Sequence, residues 1–352
     1  MEDLRKNFYH KALLKKILIP TGVILLTFVV ASEALITDEK KHEKPKVELE
    51  EKNEIPPLVE KAATKEIETI IVYNHHKGKN VEKDLEEYLV GVVAAEMPPS
   101  FAIEALKAQA ITARSYAISR LEGFGGSGCN NSSADVCTDP DHCQDWVERE
   151  EAVTSWKEDG ERLWDKVVDS VEGTRGEILA YNGNPVKEAP YHSTCGGHTE
   201  LSSKVWDNDK PYIESVDCGY CEHSDRYHET ENFSEDEIVK LLSSQVNNVG
   251  TVIADNEAPI EVLNRSSTGR VMEARIGNQK VSGRDIRHML DLNSANFELR
   301  RDDHNTWVLE TKGFGHGVGF CQYGADGKAK EGANYREILD YYFQDINIKE
   351  IN

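Results

Sequence analysis

Two adjacent prolines, Pro98 and Pro99, separate two stretches whose apolar residues recur at helical spacing. Proline cannot donate a helical hydrogen bond and disfavours helix in the residue before it, so the first helix must end just ahead of the pair. The first apolar repeat covers 85–96. The second covers 100–121, and Ser100 is its predicted N-cap. The chain is therefore predicted to turn sharply between two helices here.

Glu96 is predicted to close the first of these helices. Its neighbours Ala94, Ala95 and Met97 solvate a charge poorly, and the carbonyl end of the helix dipole disfavours a negative charge. Both effects favour the protonated carboxyl group, which is the form that a general acid needs near neutral pH. An ordinary helix-end carboxylate without a catalytic role is the alternative that this segment alone leaves open.

The remainder of the folded region mixes strands and helices. Residues 69–75 have the composition of a strand, and 149–173 predict a helix that is broken near Gly160. The pair Asn182-Gly183 marks a hairpin within 177–194. Further strands are predicted near 212–217, 259–264, 270–276, 297–301 and 306–311, and further helices at 234–244, 283–290 and 335–343. The predicted fold class is therefore α+β, with mixed helices and β-sheet.

The N-terminal part predicts a membrane anchor followed by a stalk. Residues 1–16 form a basic tail, and 17–36 begin with a charge-free run that is close to the length of a membrane span. Residues 37–68 carry many charges and few apolar groups, which predicts a disordered stalk. A signal peptide cleaved near 32–34 is the alternative. On either interpretation the folded region 69–352 lies outside the cytoplasm; on the first, a single pass holds it at the cell membrane.

Charge and motif spacing exclude two classes of ligand. The net charge of −22 disfavours binding to the phosphate backbone of a nucleic acid. The glycine-rich segment 313–319 lacks the preceding strand and the following helix of a nucleotide-binding fingerprint.

Two later segments contain clustered polar groups and glycines. Residues 189–200 combine hydroxyl, imidazole and amide donors with paired glycines that let a ligand approach the backbone. Residues 313–325 alternate four glycines and then present Gln322 and Tyr323, which suggests a loop shaped around an extended polar ligand. A tight turn whose glycines serve only backbone geometry is the alternative for the second segment.

Together these segments resemble the SpoIID family, the stage II sporulation protein D lytic transglycosylases of endospore-forming bacteria. The resemblance spans about residues 69–345 and includes several motifs in the family's order. The segments that carry it are EEYLVGVVAAEMP (86–98), EALKAQAITARSYA (104–117), GEILAYNGNPV with YHSTCGGHTE (176–200), VWDNDKPYIESV (205–216) and GFGHGVGFCQYGA (313–325).

The resemblance implies an activity on peptidoglycan during engulfment. The expected reaction cleaves the bond between N-acetylmuramic acid and N-acetylglucosamine in peptide-stripped glycan strands and leaves a 1,6-anhydro end. Glu96 matches the catalytic acid. Hydrolases of such bonds generally use two carboxylates, whereas only one candidate acid stands out here. The implied partners are the glycan strands, a peptidoglycan amidase and a membrane protein of the engulfment complex.

The same resemblance assigns residues to the glycan groove of the catalytic region. Tyr191, Ser193, His316 and Gln322 are expected to line it, and Arg114 to support or contact it. The chemistry requires no cofactor. A non-catalytic glycan-binding partner, or an enhancer of an amidase, is the alternative function.

Three cysteines and a histidine lie close together in a short loop that follows the second helix. Cys129, Cys137, His142 and Cys143 could form a tetrahedral structural zinc site, with a disulfide as the alternative. Zinc-binding relatives that resemble this loop imply Cys137, His142 and Cys143 as ligands; Cys129 as the fourth ligand is our own prediction. A zinc hydrolase that uses this cluster is a further alternative.

The other four cysteines are less informative in sequence. Cys195, Cys218 and Cys221 form a second group, and either a metal site that includes His198 or His223 or a disulfide with a free thiol is compatible with their spacing. Cys321 stands alone in the sequence.

Overall fold

A computed structural model of the chain describes residues 68–130, 133–206, 209–246, 249, 258–302 and 306–351. These residues belong to one compact unit. The predicted tail, anchor and stalk lie outside the described residues, apart from Glu68. Within the described ranges, the structure contains no helix whose length and apolar character would suit a membrane crossing.

The first elements of the fold confirm the predicted helix–proline–helix arrangement. A hairpin of β1 (Thr69–Asn74) and β2 (Lys79–Asp84) leads into α1 (Leu85–Glu96), and α2 (Ile103–Arg120) follows the prolines. The predicted cap of α2 is wrong. Ser100 lies in a turn closed by the Phe101 amide and the Pro98 carbonyl, so Ala102 is the N-cap residue.

The remaining elements alternate between helices and short strands. Up to residue 205 they are β3 (Val136–Cys137), α3 (Arg149–Ser155), α4 (Gly160–Glu172), β4 (Glu177–Tyr181), β5 (Asn184–Pro185), β6 (Tyr191–His192) and α5 (Ser202–Val205). Then come β7 (His228–Phe233), α6 (Glu235–Leu242), β8 (Glu261–Arg265), β9 (Val271–Ile276), β10 (Gln279–Ser282), α7 (Gly283–Met289), β11 (Phe297–Arg301) and β12 (Trp307–Lys312). The last are β13 (Phe320–Cys321), α8 (Gln322–Lys330), α9 (Tyr335–Tyr342) and β14 (Ile346–Glu350). The α+β class is confirmed.

Helix α2 lies at the centre of the larger hydrophobic core. Ala105, Ala108 and Ala113 have no solvent exposure, and their small side chains let neighbouring elements pack closely around the helix. Helices α1, α4, α8 and α9 and strand β4 all pack against α2. Strand β4 lies between β14 and β5 in a small antiparallel sheet. Its turn to β5 contains Asn182 and Gly183 with positive φ, as the hairpin signal predicted.

A second, smaller core is built from the segment between β7 and β12. Two three-stranded antiparallel sheets, β11-β12-β7 and β10-β9-β8, enclose it together with α6 and α7. The helix predicted at 234–244 is present as α6, and a capping box of Ser234 and Glu237 starts it. The predicted strand at 212–217 is wrong, because this segment forms turns and loop with one isolated bridge between Asp217 and His198.

Strands β6 and β13 bring the two predicted ligand-binding segments together. They pair in parallel, with Tyr191 opposite Phe320 and His192 opposite Cys321. All four alternating glycines before β13 have positive φ. A Cβ atom on Gly317 would lie 2.1 Å from the Arg270 guanidinium. The spacing of the glycines therefore serves both backbone conformation and close packing.

Arg114 corrects one expectation for the groove. Its side chain is completely buried in the larger core, where Nε and Nη2 donate to the Glu86 carboxylate at 2.9 and 2.5 Å. The remaining donors reach the carbonyl oxygens of Glu177 and Val171. The expectation that Arg114 contacts a ligand directly is therefore wrong. Only indirect support of the groove, through the packing of α1 and α2, is compatible with this position.

The Arg114–Glu86 pair predicts a large loss of stability when only one charge is removed. Arg114→Met should lower the free energy of unfolding by about 3–5 kcal/mol, because Glu86 would stay buried without compensation. Adding Glu86→Leu should recover part of that loss. Urea denaturation monitored by circular dichroism measures both variants.

Arg162→Met is the matched control for this measurement. Arg162 of α4 pairs with Asp159, the residue before the helix, and both side chains are exposed, so the ion pair contributes about 0–1 kcal/mol. Equal losses for Arg114→Met and Arg162→Met would contradict the structural role of the buried pair.

Candidate active site

The carboxylate of Glu96 joins three separate segments of the chain. Glu96 is the last residue of α1 and is partly buried. Its Oε1 atom accepts a hydrogen bond from the Asp145 backbone amide at 2.8 Å and another from the Tyr191 hydroxyl at 3.0 Å. These two donors fix the carboxyl group in one orientation at the end of the helix.

The Tyr191 hydroxyl is held from its other side. Gln144 Nε2 donates to it at 3.0 Å, and Gln144 Oε1 accepts from the Tyr88 hydroxyl at 3.4 Å. Burial, followed by the nearby charge of Glu96, raises the pKa of Tyr191 well above its ordinary value. Tyr191 therefore keeps its hydroxyl proton near neutral pH and donates a hydrogen bond to Glu96.

His316 presents a neutral imidazole beside this network. Its Nδ1 accepts a hydrogen bond from the Val318 amide at 3.0 Å, which places the ring proton on Nε2. Burial, and then the charge of Arg287, lowers the pKa of His316 to about 4. Its ring lies 5.5 Å from the ring of His192 and 5.0 Å from that of Trp206. The Nε2–H group is therefore a donor that keeps its proton at neutral pH.

The two other predicted groove residues lie at the junction of β6 and β13. Ser193 follows β6, and its carbonyl oxygen accepts from the Tyr323 amide at 3.0 Å. Gln322 is buried at the start of α8 and donates to Gln109 of α2 at 3.3 Å. The structure thus brings the segments of Glu96, Tyr191, Ser193, His316 and Gln322 together, and it leaves Arg114 in the core.

The first cysteine group converges on one point. The Sγ atoms of Cys129, Cys137 and Cys143 lie 3.4, 3.4 and 3.3 Å from Nδ1 of His142, and the four donors are all within 4.8 Å of one another. Around a tetrahedral zinc ion, sulfur and nitrogen ligands would be roughly 3.5 Å apart. The geometry of these four residues therefore fits a closed tetrahedral metal site.

The second cysteine group includes a residue that the sequence left alone. Cys321 joins Cys195, Cys218 and Cys221, and the four sulfur atoms lie within 4.8 Å of one another. Cys321 is therefore not isolated. Neither of the two predicted histidine ligands belongs to the cluster, since His223 binds Asp326 at 2.9 Å and His198 lies near Asp217.

Gln144 and Asp145 are site residues that the sequence analysis missed. They follow Cys143 directly, and they hold Tyr191 and Glu96 through one side chain and one backbone amide. The signal available in the sequence was their position next to the predicted metal ligands. The Asp145 carboxylate accepts a hydrogen bond from the Trp146 amide at 2.8 Å, while the Asp145 backbone amide donates to Glu96.

Comparison with family models gives two matches. The model of a family described as Stage II sporulation protein matches residues 73–181, which include α1, α2 and Glu96. The model of a domain of unknown function matches residues 201–319, which include the smaller core.

Curated relatives match over most of the chain. Stage II sporulation protein D of Bacillus amyloliquefaciens is 33% identical over 95% of this chain and 92% of its own length. The protein of the same name from Bacillus subtilis strain 168 is 36% identical over 76% of this chain and 74% of its own length. An amidase enhancer of Bacillus subtilis strain 168 is 26% identical over 72% of this chain and 39% of its own length.

The neutral state of His316 predicts acid sensitivity. In the unfolded chain His316 takes up a proton below its ordinary pKa near 6.5, whereas the folded ring resists protonation down to about pH 4. The free energy of unfolding should therefore fall as the pH is lowered through this interval, and His316 should contribute about 3 kcal/mol of the loss. His316→Gln should show a correspondingly smaller decrease in chemical denaturation between pH 7 and 4. Parallel curves for the two proteins would contradict the assignment.

Proposed function

Because this chain belongs to the stage II sporulation protein D family, we propose that it is a lytic transglycosylase that cleaves the glycan strands of peptidoglycan during engulfment. The substrate is a strand from which an amidase has removed the stem peptides, and the cleaved bond joins N-acetylmuramic acid to N-acetylglucosamine. The observation that carries the proposal is the fixed carboxyl group of Glu96, which the Asp145 amide and the Tyr191 hydroxyl of the first ligand-binding segment hold in place.

The first step requires an acid. Glu96 donates its proton to the glycosidic oxygen, and the bond to the muramyl C1 breaks as the leaving sugar takes up that proton. The remaining carboxylate is stabilised by the hydrogen bonds from Asp145 and Tyr191, since donors directed at a carboxylate favour its charged form. Tyr191 retains its proton, so it donates to Glu96 in this state.

The second step uses the same group as a base. The Glu96 carboxylate removes the proton from the C6 hydroxyl of the muramyl residue, and the C6 oxygen bonds to C1. The product has a 1,6-anhydro end, and no water is consumed. The neutral imidazole of His316 and the hydroxyl group of Ser193 orient the strand, and Gln322 supports this region through its hydrogen bond to Gln109. The aromatic face of Trp206, 5.0 Å from the His316 ring, adds a surface for a sugar ring.

We further propose that Cys129, Cys137, His142 and Cys143 hold a structural zinc ion. With four protein ligands such an ion has no open coordination position for water or substrate. It would therefore stabilise the loop and take no direct part in the reaction. It would fix the loop that presents Gln144 and Asp145 to Tyr191 and Glu96. The zinc-hydrolase alternative is disfavoured by this closed donor set.

The N-terminal sequence and the family membership together support a cellular setting for the proposed enzyme. We propose a single membrane anchor at residues 17–36, a stalk at 37–68, and a catalytic region outside the cytoplasm that works beside a peptidoglycan amidase and a membrane protein. The similarity to an amidase enhancer supports one other function, in which the groove binds glycan without cutting it and stimulates the amidase. The two functions differ in whether Glu96 carries out chemistry.

Replacement of Glu96 tests the catalytic function. Glu96→Gln should reduce formation of 1,6-anhydro products from peptide-free strands by about 100- to 10,000-fold, because the amide can neither give nor take the proton. Tyr191→Phe should reduce the rate of product formation by about 10- to 100-fold, because it removes one hydrogen bond to a charged group. Binding of the strands should persist in both variants.

Glu87→Gln is the control for this measurement. It lies on the same helix with its side chain mostly exposed, and it should keep full activity. If Glu96→Gln forms anhydro products at an unchanged rate and still binds glycan, the transglycosylase hypothesis is wrong. The non-catalytic glycan-binding function would then be favoured.

Loss of the first metal site should disturb the active site through structure. Cys137→Ser combined with Cys143→Ser should lower the melting temperature and activity together and increase proteolytic cleavage within 129–145, because the loop loses its cross-link. Loss of activity at an unchanged melting temperature and an unchanged cleavage pattern would favour direct participation of the metal in the reaction.

A further inference from the structure

Four cysteine sulfur atoms meet in the larger core beside the paired strands β6 and β13. Cys195, Cys218, Cys221 and Cys321 have no solvent exposure, and their Sγ atoms lie within 4.8 Å of one another. The Sγ atoms of Cys195 and Cys221 are 3.4 Å apart. Sulfur ligands of a tetrahedral zinc ion would be about 3.8 Å apart, so the four positions have the spacing of one coordination shell.

The chain segments that supply these sulfurs have the arrangement of a metal site. Cys218 and Cys221 are separated by two residues, the spacing typical of one half of a four-cysteine zinc site. Cys195 follows β6, and Cys321 ends β13, so the parallel pairing of these strands brings the other two ligands together. Three different segments thus contribute to a single centre.

The surroundings of the sulfurs suit negatively charged thiolates. The backbone amides of Cys195 and Gly324 both donate to Cys321 Sγ at 3.3 Å. The Tyr342 hydroxyl lies 3.2 Å from Cys218 Sγ. A buried guanidinium also lies near the cluster, because Arg270 Nη2 donates to the Cys195 carbonyl oxygen at 2.8 Å. Donors and a cation of this kind offset the net negative charge of a zinc ion with four thiolates.

The packing around the cluster requires glycine at position 324. A Cβ atom on Gly324 would lie 2.6 Å from Cys218 Sγ and 3.2 Å from Cys321 Sγ. Any side chain at this position would therefore displace two of the four sulfurs. The close approach of the α8 backbone allows its amide to donate to the cluster.

The number of cysteines also favours metal over disulfides. The seven cysteines divide into a group of three with His142 and a group of four, and none is left outside the two clusters. Two tetrahedral ions would use all seven sulfurs. A disulfide between Cys195 and Cys221 would leave Cys218 and Cys321 as buried thiols beside donors that favour thiolates.

We propose that Cys195, Cys218, Cys221 and Cys321 bind a second structural zinc ion. The site is independent of the one formed with His142, and it ties together the segments that present Ser193 and Gln322. Binding releases the four thiol protons and involves no change of oxidation state. Its function is to hold the two ligand-binding segments against each other.

Metal content of the full-length chain tests the proposal without reference to activity. The protein is purified without chelator, and its zinc is counted by native mass spectrometry and by release to a chromogenic chelator. The chain should contain two zinc ions. After denaturation in chelator, all seven cysteines should react with an alkylating agent.

Matched double variants separate the two sites. Cys137→Ser with Cys143→Ser should retain one zinc ion, and its cobalt-substituted form should show the absorption of four thiolate ligands. Cys218→Ser with Cys221→Ser should lose that ion. If this second variant does not fold, the zinc and thiol counts of the unaltered chain and of the first variant still decide the question.

Two results would overturn the proposal. One is a chain with a single zinc ion whose cobalt form shows three thiolates and an imidazole. The other is a count of five reactive thiols in the denatured, metal-stripped chain, with peptide mapping that finds the two unreactive cysteines among Cys195, Cys218, Cys221 and Cys321.

Discussion

The hydrogen bonds at Glu96 Oε1 are the contact on which the site depends. They join the end of α1 to the loop after Cys143 and to strand β6, three segments that are distant in sequence. One carboxyl group is thereby fixed in space by a backbone amide and a phenol. The proposed roles of acid and then base need such a fixed position, because both proton transfers occur over hydrogen-bond distances.

The two proposed metal sites would explain how loops hold this geometry. The loop that carries Gln144 and Asp145 has little regular structure, and the first cluster lies immediately before it. The β6–β13 pairing is only two residues long on each strand, and the second cluster lies directly beneath it. Sulfur ligands from separated segments can provide the rigidity that such short elements lack. In the account proposed here, the metals order the site and Glu96 carries the chemistry.

Local signals predicted much of the fold. The end of α1 at Glu96 follows from Pro98 and Pro99, and the start of α6 follows from its capping box. The failures involve long-range contacts. The segment at 212–217 has apolar residues, but Tyr212 and Ile213 are buried as part of a loop rather than in a strand. Its tyrosine hydroxyl instead donates to the Glu188 carbonyl at 3.0 Å.

The same limit applies to the site. Glu96, Tyr191 and His316 could be proposed because motifs mark them, whereas the contact of Asp145 with Glu96 joins residues 49 positions apart and has no local signature. Cys321 meets Cys195 across 126 positions through the pairing of two short strands, which spacing alone could not reveal. For Arg114 the local motif predicted a groove contact that the structure does not contain. Its motif suggested the groove, but the charge of Glu86 retains it in the core.

The most direct test of the central claim is digestion of peptide-free glycan strands in ¹⁸O-labelled water, with the products analysed by mass spectrometry. A single carboxyl group that acts as acid and then as base gives products that lack the elements of water and carry no label at the new end. A product that is heavier by one labelled water molecule would show ordinary hydrolysis, with the nearby Asp145 as the first candidate for the second carboxylate. That result would contradict the account.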